Sequence, residues 1–153
     1  VYLANDLLQF QTLLQNQSIV ILGAGLVGLE TAEVLAGYGN QVTVVDMLEQ
    51  AAPQAPARPR ENLLAHLREL HVTLLLGRKV TCIHEDGISC EKDGVTKRLG
   101  AFDSVVVALG SRPNRDFDGE FLKDPRIHLI GDALKAADAK KGIYEATKLA
   151  LSL

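Results

Sequence analysis

An α/β fold of three layers, with a parallel sheet, helices packed on it and an inserted β-meander, is predicted by three observations. Ser18 to Leu22 is a continuous β-branched and apolar run, the pattern of a parallel strand covered on both faces, and it enters a glycine-rich turn. Behind that turn Leu29, Ala32, Leu35 and Ala36 recur at helical spacing, and Gln41 to Val45 reads as a second strand, completing a strand, a helix and a strand in fewer than thirty residues. Further on, Asp86-Gly87 and Asp93-Gly94 punctuate short runs, a strong hairpin signal.

Taken in order, residues 3 to 14 place Leu3, Leu7, Leu8, Phe10, Leu13 and Leu14 mostly at helical spacing, so a short lead-in helix with Asn5 as N-cap is expected. The first strand follows, then the helix after the glycine turn, on which Glu30, Thr31 and Glu33 fall away from the apolar face and which Gly39 and Asn40 stop. Beyond the second strand, Ala51 to Arg60 contains three prolines and reads as a loop. Pro59 is placed to open a helix whose Leu63, Leu64, Leu67 and Leu70 form a buried stripe. Val72 to Leu76 is predicted as a third parallel strand, and Lys79 to His84, Ile88 to Lys92 and Val95 to Leu99 as the meander. Ser104 to Ala108 is a further strand that runs into Leu109-Gly110-Ser111-Arg112-Pro113-Asn114, a pre-proline stretch marking an exit from the domain. Ile127 to Ile130 is predicted as one more strand ending at Gly131-Asp132, with a last helix from about Gly142 to the end.

The chain has 153 residues, room for one substantial α/β core. At 47% hydrophobic and 23% charged it is too apolar for intrinsic disorder. A net charge of −3 and the lack of any long Lys/Arg run argue against nucleic acid or an anionic membrane surface as a partner. The longest stretch free of strongly polar residues, Ile19 to Leu29, is 11 residues with three glycines, well short of the roughly 20 a spanning helix needs. An N-terminus without an initiator Met or secretory signal suggests a piece of a longer chain. Cys82 and Cys90 have neither CxxC nor metal-ligand spacing, so no disulfide framework or metal site is expected and a reducing cytoplasm fits best. Free, partly buried thiols that approach each other across the meander are the expectation.

The candidate chemistry lies at Gly23-x-Gly25-Leu26-Val27-Gly28 between strand and helix. Gly23 permits the tight turn, Gly25 lets the backbone approach a pyrophosphate, and Gly28 lets helix and strand pack closely. The helix N-terminus, opened by Leu26 and Val27, offers unpaired N–H groups and a positive dipole end to phosphates. Asp46, 18 residues past Gly28 at the end of the second strand, stands where an acid accepts hydrogen bonds from an adenosine ribose and repels a 2′-phosphate. The expected fold is therefore a Rossmann-like sheet of the FAD/NAD(P)-binding type, with NADH favoured over NADPH. A turn-capping role is the competing reading of Asp46. Arg58 and Arg60 are read as solvated loop charges rather than 2′-phosphate ligands. The four histidines, His66, His71, His84 and His128, have no partner at catalytic or ligand spacing and are read as structural or solvated. No residue is a convincing acid, base or nucleophile.

Residues 23 to 46, reading GAGLVGLETAEVLAGYGNQVTVVD, resemble the NAD(P)H-binding domain of two-dinucleotide flavoprotein reductases, whose pattern is GxGxxGxE, with Glu30 supplying the final acid. The resemblance continues through the meander, VVVALGSRPN and IHLIGDA, and covers residues 16 to 153. It implies an NAD(P)H-binding domain over residues 1–115 and a C-terminal segment of an FAD-binding domain over residues 116–153, with Arg112, Pro113 and Asn114 as the hinge. Glu30 would help position the nicotinamide, Gly110 would allow backbone approach to the dinucleotide, and Gly131 and Asp132 would lie against FAD, the Asp bonding its ribityl or pyrophosphate part. The first FAD glycine motif, a dimerisation domain and a CxxC before the glycine turn are absent from the sequence. What remains is similar to the C-terminal part of the 2,4-dienoyl-CoA reductase and NADH:flavin oxidoreductase group, whose intact members carry an N-terminal barrel with FMN and an iron-sulfur cluster.

The implied function is positioning of NADH for hydride transfer to flavin, with electrons passed to an N-terminal domain, and with the fragment inactive alone. The alternatives are the NAD domain of a glutathione-reductase-like or NADH-oxidase-like flavoenzyme and a non-catalytic NAD(H)-binding module. A short-chain-dehydrogenase-like reading would use Tyr144 and Lys148, whose place after the Gly-Asp segment makes them two neighbours on a helix face instead.

Overall fold

A computed structural model describes residues 1–9, 13–114 and 119–152. The chain forms two compact units, Val1–Gly110 and Ser111–Leu153. The expected domain boundary at residues 115 and 116, like Phe10 of the lead-in helix, lies outside the described residues.

The first unit opens with β1 (Tyr2–Leu3), α1 (Ala4–Leu8), β2 (Ser18–Leu22), α2 (Leu26–Gly37) and β3 (Gln41–Val45). It continues with α3 (Ala57–Glu69), β4 (Thr73–Leu75), the meander β5 (Lys79–His84), β6 (Gly87–Lys92) and β7 (Val95–Gly100), and β8 (Ser104–Val107). Five strands form a parallel sheet in the order β1-β8-β2-β3-β4, and the meander is a separate antiparallel sheet, β5-β6-β7. The alternation of side chains along β2 explains the layers. Ile19 and Ile21 join the core with α1, α2 and α3, whereas Val20 and Leu22 pack on Ile88, Leu99 and Phe102 of the meander and its exit. All four β2 residues are essentially inaccessible, and each such burial contributes about 1.5–3 kcal/mol relative to exposure. A strand apolar on both faces therefore needs the meander as its second cover.

The lead-in segment departs from expectation. Tyr2 and Leu3 pair with Val106 and Val107 at the sheet edge, the helix covers only Ala4–Leu8, and its N-cap is Leu3 with no side-chain bond, so Asn5 lies inside the helix. Edge pairing takes the residues that helical spacing would have used. A second correction concerns Thr31, which is buried rather than turned to solvent. The α1 segment packs on α2 alongside Thr31, Val34 and Leu35, covering a second face of that helix, and the Thr31 hydroxyl donates to Val27 O at 2.6 Å. Asn40 does more than stop α2: it is buried, donates to Leu14 O and Leu35 O, and accepts from Gln17 N.

α3 begins at Ala57, so Pro59 sits within its first turn, where a missing N–H costs no helical bond. Arg58 and Arg60 consequently belong to a helix and not to a loop, and the Arg60 Nε is buried without a partner. In the meander Asp93 and Gly94, both at positive φ, form the two-residue turn between Lys92 and Val95. Gly87 instead lies in β6, paired with His84 and Gly100, where a Cβ would come 2.3 Å from Leu99 O and glycine is therefore required. Cys82 and Cys90 do not approach each other: Cys82 is exposed opposite Ser89, and Cys90 is buried opposite Val80.

The second unit holds 3-10 turns at Glu120–Lys123 and Gly131–Ala133 and helix α4 (Ala139–Ala150). Ile127–Ile130 is not a strand. Its backbone reaches an extended conformation at Ile130, but no described strand of this unit offers a ladder, and an unpaired strand leaves its N–H and C=O groups without partners. His128 is accordingly in a loop. α4 starts before Gly142 because Asp138 caps it, accepting from Lys141 N at 2.8 Å. Among the described residues no helix is long and apolar enough to cross a membrane.

Candidate functional site

The carboxyl edge of the parallel sheet gathers seven of the ten residues expected at a site: Gly23, Gly25, Leu26, Val27, Gly28, Asp46 and Gly110. β2 ends in Gly23, whose φ of +109° and whose would-be Cβ, 2.4 Å from Ala108 O, together demand glycine. Gly28, in the first turn of α2, stands so close to Gly23 that a Cβ would lie 2.0 Å from its carbonyl oxygen and 3.3 Å from the Ala108 methyl. Two glycines are thus required by contacts within the protein. Gly25 differs: a Cβ would meet nothing within 4 Å, and its φ of −70° suits any residue. The space before it is open. As N-cap of α2 with no side chain, Gly25 leaves the first helical N–H groups, those of Leu26 and Val27 among them, without intrahelical partners. An anionic phosphate fits there, since it gains those donors and the positive end of the helix dipole.

Asp46 closes the site from β3. Its Oδ2 accepts from Ala24 N at 2.6 Å and its Oδ1 from Leu48 N at 2.8 Å, so one carboxylate caps its own turn and holds the glycine loop. The turn-capping reading and a loop-positioning role are therefore both present in the geometry. The other side of the loop is clasped as well: Ala52 N donates to Ala24 O at 2.7 Å. Ala52 is buried and adopts a φ of +43°, an unusual conformation for a residue with a Cβ. Nothing in the sequence marks Ala52 as a contact of the glycine loop, because the interaction is made entirely by backbone atoms.

Gly110 follows β8 at a φ of +89°, two residues past the Ala108 carbonyl that abuts Gly23. Leu26, Val27, Met47, Leu48 and Leu109, all just beyond strand ends or at the start of α2, are exposed apolar side chains on this edge. The carboxyl edge of an open parallel sheet is where ligands of such folds bind. Glu30 follows the glycine loop on α2. It lies one turn along α2, exposed, on a cleft of ≈ 460 Å³ between α2 and α3 that Leu26, Glu33, Pro59 and His66 also line. His66 is not unpartnered, since its Nδ1 is 2.5 Å from Glu33 Oε1 across the two helices. Linear spacing could not reveal a pair 33 residues apart.

The remaining two residues belong to the second unit. Gly131, at φ +57°, donates its N–H to Glu145 Oε2 at 2.8 Å and approaches Gly142 of α4. The Asp132 side chain accepts from Ala137 N at 3.1 Å, the loop-capping contact. Among the described residues no group of three His, Cys, Asp or Glu side chains could hold a metal ion.

Comparison with known proteins places this geometry in context. The family model for pyridine nucleotide-disulphide oxidoreductases matches residues 3–146. Bilirubin reductase of Mediterraneibacter gnavus is 38% identical over 135 residues, covering 86% of this chain and 21% of that protein. Dihydrolipoyl dehydrogenase of Mycobacterium leprae is 37% identical over 125 residues, covering 79% of this chain and 26% of its own length. Among solved structures, histamine dehydrogenase from Rhizobium sp. 4-9 superposes with a TM-score of 0.84 at 19% identity, over 99% of this chain and 26% of that one. The chain thus spans about a quarter or less of the curated relatives it matches.

Proposed function

Because the chain belongs to the pyridine nucleotide-disulphide oxidoreductase family, a family of oxidoreductases, we propose that it is the nicotinamide-dinucleotide-binding portion of a longer flavin-dependent oxidoreductase. NADH would lie along the carboxyl edge of the parallel sheet, its pyrophosphate at Gly25, Leu26 and Val27. The single observation that carries this reading is the difference among the three glycines: two are demanded by the protein's own packing, and Gly25 alone faces open space at a helix N-terminus.

Asp46 is the ribose acceptor in this reading and disfavours a 2′-phosphate. Its two backbone bonds fix its carboxylate in place before any ligand arrives. Gly110 borders the same edge, and Glu30 acts from α2 toward the nicotinamide end. Gly131 and Asp132 serve an FAD site completed by parts of the protein outside these residues, with the division near residue 115. When bound, NADH would supply the hydride that FAD receives, and the residues of this chain would bind and orient the nucleotide. An N-terminal region carrying FMN and an iron-sulfur cluster would be the next electron acceptor.

Calorimetric titration of the purified chain with NADH, NADPH and FAD tests the proposal. NADH is expected to bind, NADPH more weakly, and FAD poorly. Asp46→Ala is expected to weaken NADH by about tenfold, the worth of a hydrogen bond to a charged group. Asp46→Asn, which keeps an acceptor for Ala24 N, separates loss of the ribose contact from loss of the loop. Tight FAD binding with no binding of either nicotinamide nucleotide would overturn the reading.

A further inference from the structure

Outside the glycine-loop site, the solvent-facing side of the meander carries a nucleophile, a base and a group that orients the base. Cys82 and His84 are two apart on β5 and so project on one face. Cys82 Sγ stands 3.9 Å from His84 Nδ1. The other ring nitrogen, Nε2, is 2.7 Å from the Ser89 hydroxyl on β6. Strand register produces this arrangement, because Ser89 lies directly opposite Cys82 and the next residue across, on β7, is Arg98. Thiol, hydroxyl and guanidinium therefore form one row across the sheet, with the imidazole beside it. His84 is oriented by Ser89 while its other nitrogen meets the thiol, the nucleophile–base–orienter order that activates weak nucleophiles. Cys82 is exposed, and its thiol also reaches the Ile83 carbonyl at 3.5 Å. Cys90, the neighbouring thiol, is buried at 1% exposure and has no such access. Further along the same face Glu91 lies opposite Lys79, and Arg98 pairs with Asp86. The hydrogen bond from Arg98 holds the Asp86 carboxyl below the usual carboxylate range.

We propose that Cys82 is a thiol–disulfide exchange site for low-molecular-weight disulfides, with His84 as proton acceptor and Ser89 as a positioning residue. The Cys82 sulfur attacks one sulfur of the disulfide as its proton passes to His84. A new Cys82–S–S–R bond forms, the original S–S bond breaks, and the departing thiolate takes the proton from His84 and leaves as R–SH. Cys82 is oxidised and half of the disulfide is reduced, so no further oxidant is needed.

The test is the rate at which the purified chain reacts with 5,5′-dithiobis(2-nitrobenzoate), followed by release of the coloured thiol. One fast and one slow thiol per chain are expected, and Cys82→Ser removes the fast phase. At about pH 7, His84→Gln is expected to slow that phase by about tenfold and Ser89→Ala by a smaller factor. At about pH 9.5, where thiols ionise unaided, both variants should match the parent. Should His84→Gln disturb folding, Cys90 would turn fast, and Ser89→Ala then decides alone. A fast phase at neutral pH that is unchanged in both variants, or two thiols of equal rate in the parent, would overturn the proposal.

Discussion

Each of the three motif glycines has its own physical constraint, and the constraints predict different phenotypes. Gly28→Ala drives a Cβ to 2.0 Å from a backbone oxygen, which neither helix nor turn can yield cheaply. We expect a loss of about 3 kcal/mol in denaturant unfolding, from overpacking between backbone segments. Gly25→Ala puts its methyl into open space, so stability should change by less than about 1 kcal/mol. Affinity for NADH should nevertheless fall by about tenfold, because the methyl occupies the approach of the pyrophosphate. Equal effects of the two substitutions on stability would contradict the assignment. The spacing of these glycines and the position of Asp46 were legible in the sequence, because each is set by a side chain, or its absence, at a fixed offset. The Ala52 clasp and the His66–Glu33 pair were not, since a backbone donor leaves no compositional trace and a tertiary pair leaves no local one.

At the scale of elements, four of the five parallel strands, all but the edge strand β1, were legible within a residue or two because a strand buried on both faces is apolar throughout, as Ile19, Val20, Ile21 and Leu22 are. The same rule failed at Ile127–Ile130, where apolar residues run together without a neighbouring strand to pair with. Helix ends were less legible than helix middles. The last helix, expected from about Gly142, starts earlier because Asp138 caps it. That helix has no buried residue, so its cap matters more than the cap of a packed helix would. Asp138→Ala should cost about 1 kcal/mol of local stability, seen as reduced helical chemical shifts confined to residues 139 to 142. A uniform shift change across the whole chain would argue instead for global coupling.

For the whole molecule, the uneven burial predicts uneven stability. No described residue beyond Val106 is buried, while the parallel sheet of the first unit holds the densest core. Amide exchange should therefore proceed in α4 by local opening that is insensitive to low denaturant, and in β2 only by global unfolding. Equal protection of the two would contradict this. The order of strands has a consequence for how the chain is made. β8, synthesised after the meander, inserts between β1 and β2 and is stitched there by Ser18 N to the Asp103 carboxylate and by Ser104 Oγ to Gln17 Oε1, contacts 85 and 87 residues apart. Closing loops of that length is slow relative to local contacts. Gly23 meets its Ala108 wall only once β8 has docked, so a nascent chain still short of residue 108 has the whole glycine motif translated but not yet shaped. On the ribosome, the phosphate cradle is among the last features of this unit to take form, although it is encoded near its beginning.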